Sequence, residues 1–419
     1  MEKYLIINAG SSSLKFSLYE FNDGKEYEIV NGLVEKIGKD DSFYSFKTNE
    51  EKIEKSLLIK NHTDAVNVVL KELLNNNFIN SVEEINGIGH RVLHGGEYYD
   101  DSVLIDDESL SNIESLIKLG PLHIPGQLAV IKSMKSVLPN VPQVAVFDTT
   151  FHHTIEKSKF LYGIPYKLYE KHGVRKYGFH GTSYKYITEA MKEKLGKENV
   201  NLVICHLGSG GSICAVKDGK SIDTTMGFTP NDGIIMCTRS GNIDYSIIPY
   251  LCDETNMSLK EIDNMLNKES GLKGLAGVTD FRDLDKLVDD GNEKAKLAWE
   301  MARLTVCKYL SYYIDMLNYE IGNQSIDGIV FTAGIGENNP RFRKGILDFF
   351  KSRNIVLNEE ENNKIAKFLE KTTGVISAEE SNIPVYVEPT NEEYMILKDT
   401  ARLSKEYKNN LTSMKLLKK

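Results

Sequence analysis

A pattern of strand, polar glycine turn and strand occurs twice in this chain of 419 residues. The first copy, residues 4–20, reads YLIINAGSSSLKFSLYE, and the second, residues 202–220, reads LVICHLGSGGSICAVKDGK. When Gly10 is aligned with Gly208, apolar residues match on both sides of the turn. The copies are separated by almost half of the chain. A repeat of such long period predicts two related lobes rather than a solenoid of many short repeats.

The composition of both turns suits the binding of a phosphate group. Glycine lets the backbone approach a ligand closely, and serine hydroxyls and backbone amides donate hydrogen bonds to phosphate oxygens. Either turn alone would more often be an ordinary polar hairpin, but the repetition favours a functional interpretation. We therefore expect one phosphate-binding hairpin in each lobe, with a nucleotide cleft between the lobes.

The composition is that of a globular protein and argues against several other classes. Hydrophobic residues make up 41% of the chain and charged residues 26%, and 419 residues exceed one typical core, so two domains are expected. The net charge of −9 argues against non-specific nucleic-acid binding. The five cysteines lack CxxC spacing, no apolar run approaches the ~20 residues of a membrane span, and the N-terminus enters a strand without a signal peptide. We expect a cytoplasmic protein that binds neither nucleic acid nor membrane.

Apolar periodicity predicts alternating strands and helices, which is typical of an α/β fold. Helical spacing occurs over residues 63–77, 126–137 and 291–321. Short apolar runs predict buried strands that begin at residue 85 and that span residues 144–147, 328–332 and 385–387.

Two charged residues lie near the ends of predicted strands. Arg91 has apolar neighbours, where a guanidinium needs a partner, so it is either half of a structural salt bridge or a planar clamp for an anion. Asp148 follows the strand 144–147. Open α/β sheets carry their chemistry at the carboxyl ends of strands, and the alternative for Asp148 is the capping of a turn.

Other polar candidates lie in loops. His152 and His153 invite comparison with metal ligands but lack a regular spacing. His180, in a glycine-rich turn, fits a structural histidine equally well. Arg239 is flanked by small polar residues in the segment 223–244, which is rich in Gly, Thr and Ser. A long loop of this composition is typical of a ligand-binding loop, with disorder as the alternative.

Two segments near the C-terminus suit phosphate and metal. The strand 328–332 leads into AGIGEN, and Pro340 is suited to begin the next helix. A strand–GxGxN–helix unit can bind a nucleotide or phosphate at a helix N-terminus. In PTNEE, Thr390 and Glu393 form a predicted capping box, which leaves Glu392 free to bind a metal.

Ten motifs follow one another over nearly the whole chain: NAGSSSLKF, HRVLHGG, PLHIP, FDTTFH, YGFHGTS, HLGSG, MGFTP, TRSG, FTAGIGEN and PTNEE. In this order they resemble the acetate kinase family, which belongs to the superfamily of sugar kinases, actin and heat-shock ATPases. The resemblance implies an α/β fold of two related ribonuclease H-like (actin-like ATPase) lobes, formed by residues 1–150 with 385–419 and by residues 151–384. It also implies reversible phosphoryl transfer from ATP to acetate, giving acetyl phosphate and ADP. The implied cofactor is Mg²⁺, with Mn²⁺ as a substitute, and the implied assembly is a homodimer formed through the second lobe.

The same resemblance implies roles for individual residues. The catalytic residues would be Asp148, His180 and Arg239, of which the last two would stabilise the transferring phosphoryl group. The metal would be held by Asn8 and Glu392, and the acetate carboxylate by Arg91. The methyl pocket would be formed by Leu93, Leu122, Phe179 and Pro230. The nucleotide would be bound by Lys15, His206, Leu207, Gly208, Ser209, Gly210, Asp280, Phe281, Arg282, Gly334, Ile335, Gly336, Glu337 and Asn338.

The chemistry of this reaction agrees with such a set of residues. Acetate has a pKa near that of a glutamate side chain, about 4.3, and is already ionised at pH 7. The reaction therefore needs no strong base, and we expect Asp148 to orient the acceptor or the metal rather than to abstract a proton. The obstacle is the approach of one anion to another, which positive donors around the transferring group can overcome.

Several positions differ from the usual pattern of the family, mostly in the donor loops. The differing residues are Ile124 for Asn, Tyr184 for His, Ser209 for Asn, Gly211 for Ala, Cys237 for Gly, Asn242 for Asp and Tyr245 for Pro, and GVTDFRD is one residue short. These changes make pyrophosphate an alternative phosphoryl donor. Propionate and butyrate are alternative acceptors, although Leu93 would narrow the pocket and favour acetate. A catalytically silent nucleotide-binding scaffold is the alternative of another class, and the retained cluster of charged residues argues against it.

Overall fold

The computed structural model describes residues 2–22, 25–48, 52–121, 123–367 and 369–417, and these residues form two compact units. The first unit comprises the chain up to Thr150 together with the chain from Asn391 onward. The second unit is Phe151–Thr390. Of the predicted site residues, Leu122 lies outside the described residues.

The first unit contains a mixed sheet. Its strands are β1 (Glu2–Ala9), β2 (Ser13–Asn22), β3 (Lys25–Glu35), β4 (Phe43–Lys47), β5 (Lys52–Ser56), β6 (Ile85–Val92), β7 (Val103–Leu104) and β8 (Gln143–Phe147). They are ordered β5-β4-β3-β2-β1-β6-β8-β7. The first five strands form an antiparallel meander, β1 is parallel to β6, and β6 is parallel to β8.

Helices cover both faces of this sheet. They are α1 (His62–Asn75), α2 (Asp107–Ser115), α3 (Ile124–Val137) and the C-terminal helix (Glu392–Leu417), with short 3-10 helices at Val82–Glu84 and Leu116–Leu119. One face packs against α1 and α3 through side chains such as Val69 and Val130. The other face packs against the C-terminal helix through side chains such as Ile6 and Ile396. This two-sided burial explains the continuous apolar run of β8, whose five residues are all buried.

The second unit contains a six-stranded sheet. Its strands are β9 (Leu202–Leu207), β10 (Gly211–Lys217), β11 (Lys220–Thr224), β12 (Gly328–Thr332), β13 (Gly374–Val375) and β14 (Val385–Val387), in the order β11-β10-β9-β12-β14-β13. Because β14 pairs in parallel with β12, residues 385–387 belong to the second unit, and their expected place in the first lobe was wrong. The chain returns to the first unit only at Asn391.

Along the chain, the helices of the second unit lie before the first strand of this sheet and between its strands. They are α4 (Lys157–Phe160), α5 (Lys167–His172), α6 (Gly181–Leu195), α7 (Ile247–Thr255), α8 (Leu259–Lys268), α9 (Gly271–Ala276), α10 (Phe281–Asp289), α11 (Glu293–Ile321), α12 (Ala333–Asn338), α13 (Pro340–Asp348) and α14 (Glu359–Lys364). Short 3-10 helices occur at Thr150–His152 and Lys351–Arg353. As predicted, Pro340 occupies the first turn of α13.

The two sheets share one arrangement of five strands. In the first, β3-β2-β1 are antiparallel neighbours and β1-β6-β8 are parallel neighbours. In the second, β11-β10-β9 are antiparallel and β9-β12-β14 are parallel. The repeated hairpins are therefore the first two strands of two equivalent sheets. This confirms the predicted α/β fold of two related lobes.

The described part of the chain contains no helix that is both long and apolar enough to cross a membrane. The five cysteines are all free thiols.

Candidate active site

Three predicted site residues lie at the carboxyl ends of the parallel strands of the first unit. In the pairing of β1 with β6, Ile7 lies opposite His90, so the next residues, Asn8 and Arg91, share one face of the sheet. Asp148 directly follows β8, and its backbone N–H donates to the carbonyl of Val92. The alternation of strand residues and the parallel register thus bring these three side chains to one edge.

Arg91 and Asp148 form a bidentate ion pair. The Nε of Arg91 donates to Oδ1 at 2.9 Å and its Nη2 donates to Oδ2 at 2.7 Å. The Asp148 side chain is 2% exposed, whereas that of Arg91 is 27% exposed. The carboxylate of Asp148 raises the pKa of Arg91 further above its usual value. Within the described residues Nη1 of Arg91 has no hydrogen-bond partner, so the same guanidinium can form the salt bridge and still bind an anion.

The C-terminal helix brings Glu392 to the same edge. Gly89 lies beneath Ile396 and Thr400. The two-residue distance along β6 from Gly89 to Arg91 is similar to the rise of one helical turn, which leads from Ile396 back to Glu392. Glu392 also contributes to the raised pKa of Arg91. Among the described residues it forms no ion pair or side-chain hydrogen bond.

The predicted capping box of this helix was wrong. The side chain of Asn391, rather than that of Thr390, accepts the backbone N–H of Tyr394 at 3.0 Å. Glu393 instead accepts hydrogen bonds from the hydroxyls of Ser17 and Tyr19 on β2. Glu393 therefore ties the helix to the sheet, which leaves its neighbour Glu392 available, as the sequence analysis expected.

Asn8 and Glu392 fit a magnesium ion by the chemistry of their donor atoms, an amide and a carboxylate oxygen. No group of three or more His, Cys, Asp and Glu side chains in the described ranges could hold a metal ion. Mg²⁺ typically binds one or two carboxylates and takes its other ligands from water and substrate phosphates, so a sparse protein site is compatible with it.

The remaining predicted residues of the first unit differ in exposure. Lys15 is exposed on β2, opposite Asn8 in the hairpin ladder. Leu93 is half-buried, and its backbone N–H donates to Oε1 of Gln127 at 3.1 Å. Its side chain packs at the edge of the apolar cluster that contains Phe147.

The turn of the second hairpin lies beside His180 and Arg239. The N–H of Gly208 donates to the carbonyl of Gly210 at 3.1 Å, which closes the turn tightly. A Cβ atom on Gly210 would lie 3.2 Å from Nη1 of Arg239 and 3.8 Å from Nε2 of His180. A glycine turn, a guanidinium and an imidazole therefore converge within this unit.

His180 is held in a strained position. Its φ of 58° lies in the left-handed region, which is unfavourable for a residue with a side chain. Its Nδ1 lies 2.8 Å from the hydroxyl of Ser212, and its ring stacks on that of His206 with centroids 4.1 Å apart. His206 is buried and hydrogen bonds to Ser183, so it supports His180 and does not line the large pocket described below.

His152 positions the residue before His180. Its ring is 1% exposed, with Nε2 2.9 Å from the carbonyl of Phe179 and Nδ1 2.8 Å from the hydroxyl of Ser221. Burial lowers the pKa of His152 to about 4, so the ring is neutral. Both nitrogens are engaged, and metal binding by His152 is therefore not supported. Phe179 itself is buried next to the strained turn.

Arg239 has no counter-charge. Its Nη1 donates to the carbonyl of Pro230 at 3.1 Å and contacts Sδ of Met236. It makes no ion pair with a carboxylate of the described chain, and burial lowers its pKa. A partly desolvated and unpaired guanidinium is unfavourable until an anion binds it. Pro230 and Arg239 thus meet in the loop that the sequence analysis interpreted as functional.

A large pocket opens next to this cluster. Its volume is about 360 Å³, within the ~300–1,000 Å³ typical of ligand sites. The predicted nucleotide residues that line it are Gly208, Ser209, Asp280, Phe281, Arg282, Gly334, Ile335 and Asn338. The lining residues that the sequence analysis missed are Cys237, Thr279, Asn339, Ala366 and Lys367.

Three other predicted nucleotide residues, Leu207, Gly336 and Glu337, do not line this pocket. Leu207 lines a smaller apolar recess. Glu337 accepts the backbone N–H of Thr390 at 3.1 Å, and burial raises its pKa. The carbonyls of Gly336 and Glu337 accept hydrogen bonds from Arg343.

Arg343 is the main supporting residue that the sequence analysis missed. Its side chain is fully buried and makes five hydrogen bonds, all to carbonyl or amide oxygens, of Gly336, Glu337, Asn362 and Ile365. It therefore ties α12 to the segment after α14, and both contribute lining residues to the pocket. The sequence held a signal, because Phe342, Arg343, Ile346 and Leu347 occupy the buried face of α13.

The comparisons with known proteins agree on one family. Residues 3–398 match the model of the acetokinase family. The acetate kinase of Bacillus cytotoxicus is 46% identical over 406 residues, which cover 96% of this chain and 99% of that protein. A propionate kinase from Francisella tularensis, of known structure, is 41% identical with a TM-score of 0.88 and covers 96% of this chain and 100% of its own. The acetate kinase of Porphyromonas gingivalis is 36% identical with a TM-score of 0.89, again over 96% of this chain and 100% of its own.

Proposed function

The chain belongs to the acetokinase family, and we propose that it is an acetate kinase that transfers a phosphoryl group between ATP and acetate. The products in one direction are acetyl phosphate and ADP, and the reaction is reversible. The observation that carries the proposal is the convergence of the unpaired guanidinium of Arg239, the imidazole of His180 and the glycine turn beside a nucleotide-sized pocket. These groups suit a phosphate at the end of a bound nucleotide.

In this proposal Arg91 holds the acetate. Nη1 of Arg91 would pair with the carboxylate, while Asp148 occupies Nε and Nη2 and fixes the plane of the guanidinium. Acetate is already an anion at neutral pH, so no base is needed and Asp148 has no proton to remove. Asp148 would thus act by orientation, as the sequence analysis expected. Leu93, Phe179 and Pro230 remain the proposed neighbours of the methyl group.

The charge that develops on the transferring group would be stabilised by Arg239 and His180. Phosphoryl transfer requires little covalent chemistry from the protein, and catalysis comes mostly from positioning and electrostatics. A guanidinium already desolvated and already in place costs no reorganisation when the phosphate charge moves toward it. The left-handed backbone conformation of His180 fixes the direction of its ring, so the imidazole is also in place before transfer.

Asn8 and Glu392 would hold Mg²⁺. When bound, Mg²⁺ would supply positive charge that neutralises the phosphate groups of the nucleotide. The unpaired carboxylate of Glu392 and its proximity to the Arg91–Asp148 pair support this assignment. Mn²⁺ is the proposed substitute.

The deciding experiment traps acyl phosphate with hydroxylamine. The purified protein is given Mg²⁺ and acetate with either ATP or pyrophosphate, and product is expected with ATP, because residues predicted to bind the nucleoside line one pocket. Product with pyrophosphate alone would overturn ATP as the donor. Folded protein that forms no product with either would overturn the kinase activity and favour the scaffold.

The identity of the acceptor is tested by repeating the experiment with propionate in place of acetate. The similarity to the Francisella tularensis propionate kinase makes this comparison necessary. We expect a higher kcat/KM for acetate. A higher kcat/KM for propionate would identify the three-carbon acid as the acceptor.

The proposed enzyme is a cytoplasmic homodimer. Helix α7 of the second unit has no buried residue, although its sequence, IIPYLCDET, is rich in apolar side chains. Tyr245 and Tyr250 are 82% and 63% exposed. Exposed apolar side chains gathered on and next to one helix favour an interaction site, and a second copy of the chain is the proposed occupant.

A further inference from the structure

Two carbonyl groups at the turn of the first hairpin accept backbone hydrogen bonds. The hairpin ladder ends at Ala9 opposite Leu14, and the turn follows. The carbonyl of Ser12 accepts the N–H of Ile37 at 3.0 Å, and the carbonyl of Ser13 accepts the N–H of Gly10 at 2.8 Å. These two acceptors are therefore occupied by backbone donors of the same unit.

The carbonyl of Gly10 is held by a side chain. Nε2 of His62, the first residue of α1, lies 2.9 Å from this oxygen and donates a hydrogen bond to it. The carbonyl of residue i and the N–H of residue i+1 point in opposite directions across a trans peptide. Fixing the Gly10 carbonyl toward His62 therefore turns the N–H of Ser11 the other way.

The turn also carries free hydrogen-bond donors. Ser11 and Ser12 are exposed, and their backbone N–H groups and hydroxyls have no hydrogen-bond partner among the described residues. Neighbouring free N–H and O–H donors attract an anion.

A second contact restrains the same carbonyl. Gly126, in the first turn of α3, approaches so closely that a Cβ atom there would lie 2.7 Å from the Gly10 oxygen and 3.4 Å from Nε2 of His62. Only glycine leaves room for the hydrogen bond between His62 and Gly10. The position of the turn is thus set from two helices, α1 and α3.

We propose that His62 is a positioning residue for phosphoryl transfer: it orients the turn 10–12 so that the donors of Ser11 and Ser12 bind phosphoryl oxygens. This inference rests on the proposed function and adds to it a residue that does not itself touch the substrate. The donors act on the phosphoryl group and not on the acetate, which is assigned to Arg91.

The test compares His62→Phe, which keeps an aromatic ring without a donor, with His62→Gln, whose Nε2 can replace that of histidine. We expect His62→Phe to lower kcat/KM for ATP, and for acetyl phosphate in the reverse direction, by at least about 10-fold, since small displacements of catalytic groups cost up to ~10²-fold. The KM for acetate should stay unchanged. His62→Gln should remain within about 3-fold of the wild type. The exposed His172 supplies the matched control, His172→Phe.

Gly126→Ala tests the same turn without altering His62. Its methyl group would displace the Gly10 carbonyl, and we expect the same selective loss for ATP and acetyl phosphate. Gly163→Ala is the control, because a Cβ atom there meets nothing within 4 Å. If His62→Phe does not fold, Gly126→Ala still tests whether the position of the turn affects phosphoryl transfer.

The outcomes separate the two proposals. A wild-type protein without ATP-dependent acyl phosphate formation overturns the proposed function and this inference with it. An active wild type whose folded His62→Phe and Gly126→Ala variants match its kinetics overturns the inference alone. A KM for acetate that rises as much as the KM for ATP would also overturn it, because it would indicate a general structural defect.

Discussion

At the level of single residues, the two arginines of the proposed site differ in what balances their charge. Arg91 is paired with the buried carboxylate of Asp148, which fixes its geometry and neutralises part of its charge. Arg239 has no such partner among the described residues, and burial already disfavours its charged form. Arg91 is thus suited to hold an anion in one orientation, and Arg239 to respond to charge that appears during transfer.

Removing either guanidinium should therefore reduce activity by different routes. We expect Arg91→Ala and Arg239→Ala each to lose roughly 10²-fold or more in rate, as expected when a transition-state donor is lost. Arg91→Ala should also raise the KM for acetate. Steady-state kinetics measure both effects, with Arg353→Ala as control because Arg353 pairs with Asp315 at the surface. Near-normal turnover of both variants would contradict the assigned roles.

Arg343 should matter for nucleotide affinity without touching the nucleotide. Burial lowers its pKa to about 10, so it is charged at neutral pH and held only by carbonyl and amide oxygens. Arg343→Met would leave several buried oxygens without a donor, at about 1–3 kcal/mol for each. We expect a lower free energy of unfolding in urea and a KM for ATP raised more than that for acetate. Arg353→Met is the control, and an unchanged KM for ATP in folded Arg343→Met would disprove the supporting role.

Two buried histidines should make stability depend on pH. Burial lowers the pKa of both His90 and His152 from 6.5 to about 4. Each takes up a proton on unfolding between these pH values, so the free energy of unfolding should fall as the pH is lowered from about 6.5 to 4, by at most about 1.4 kcal/mol per pH unit for each group. Urea denaturation at pH 7 and pH 5 measures this loss.

His90→Gln provides the matched comparison for the pH dependence. Its Nε2 can donate to Gln143, as the ring of His90 does at 2.8 Å, but it cannot titrate. The variant should lose less stability than the wild type between pH 7 and pH 5. Identical losses in both proteins would show that His90 is not the titrating group.

Some of these residues could be predicted from the sequence and others could not. Arg91 and Asp148 stood out because charged side chains followed apolar strands, and the structure pairs them. Arg343 was missed because a charged residue on a helix is usually exposed, whereas Arg343 lies on the buried face of α13. The cap of the C-terminal helix was misassigned because both Thr390 and Asn391 are good capping residues, and only the tertiary bonds of Glu393 to β2 distinguish them.

At the level of elements, the C-terminal helix lies unusually close to β6 because glycines face it. A Cβ atom on Gly87 would lie 2.2 Å from Oγ of Ser404, and one on Gly89 would lie 2.2 Å from Oγ1 of Thr400. The helix therefore packs so close to the sheet that only glycine fits at these two positions of β6. This close packing determines where Glu392, at its N-terminal end, is presented.

Gly89→Ala should displace this helix and weaken metal binding. The added methyl group would overlap Thr400 and Ile396, and such overpacking typically costs about 1–3 kcal/mol. We expect a lower free energy of unfolding and a higher Mg²⁺ concentration for half-maximal activity, because Glu392 moves with the helix. Thr400→Ala in the same chain should restore part of both. A normal Mg²⁺ requirement in Gly89→Ala would contradict the role of Glu392.

Most elements could be predicted from their own residues, and their pairing could not. The helix predicted over 291–321 is found at Glu293–Ile321, and the strand 328–332 is found at its expected residues. Only three residues of β14 pair with β12, and nothing in the apolar run 385–387 indicates which sheet it joins. The pocket residues Ala366 and Lys367 follow α14 and have no motif of their own, so only the fold brings them to the pocket.

At the level of the whole molecule, the internal repeat was the most informative signal. It predicted two related lobes from two short hairpins, and the two sheets have equivalent strand orders. The reason is physical: a hairpin followed by parallel strands needs glycine at its turn and apolar residues on both sides, and these leave a visible pattern. Supporting residues such as His62 leave no such pattern, because a single hydrogen bond to a carbonyl places no demand on neighbouring residues.

The exposed face of α7 leads to the last prediction, on assembly. The side chain of Tyr250 is 63% exposed on a helix without buried residues. We expect a second copy of the chain to cover this apolar ring. We expect light scattering to give a mass of about 95 kDa, twice the 47.3 kDa of one chain. Tyr250→Glu should shift the protein toward the monomer, because a carboxylate is costly to bury without a partner. Tyr27→Glu is the control, since Tyr27 is 58% exposed in the first unit. A monomeric wild type, or a Tyr250→Glu variant that stays dimeric, would show that this face does not join two copies.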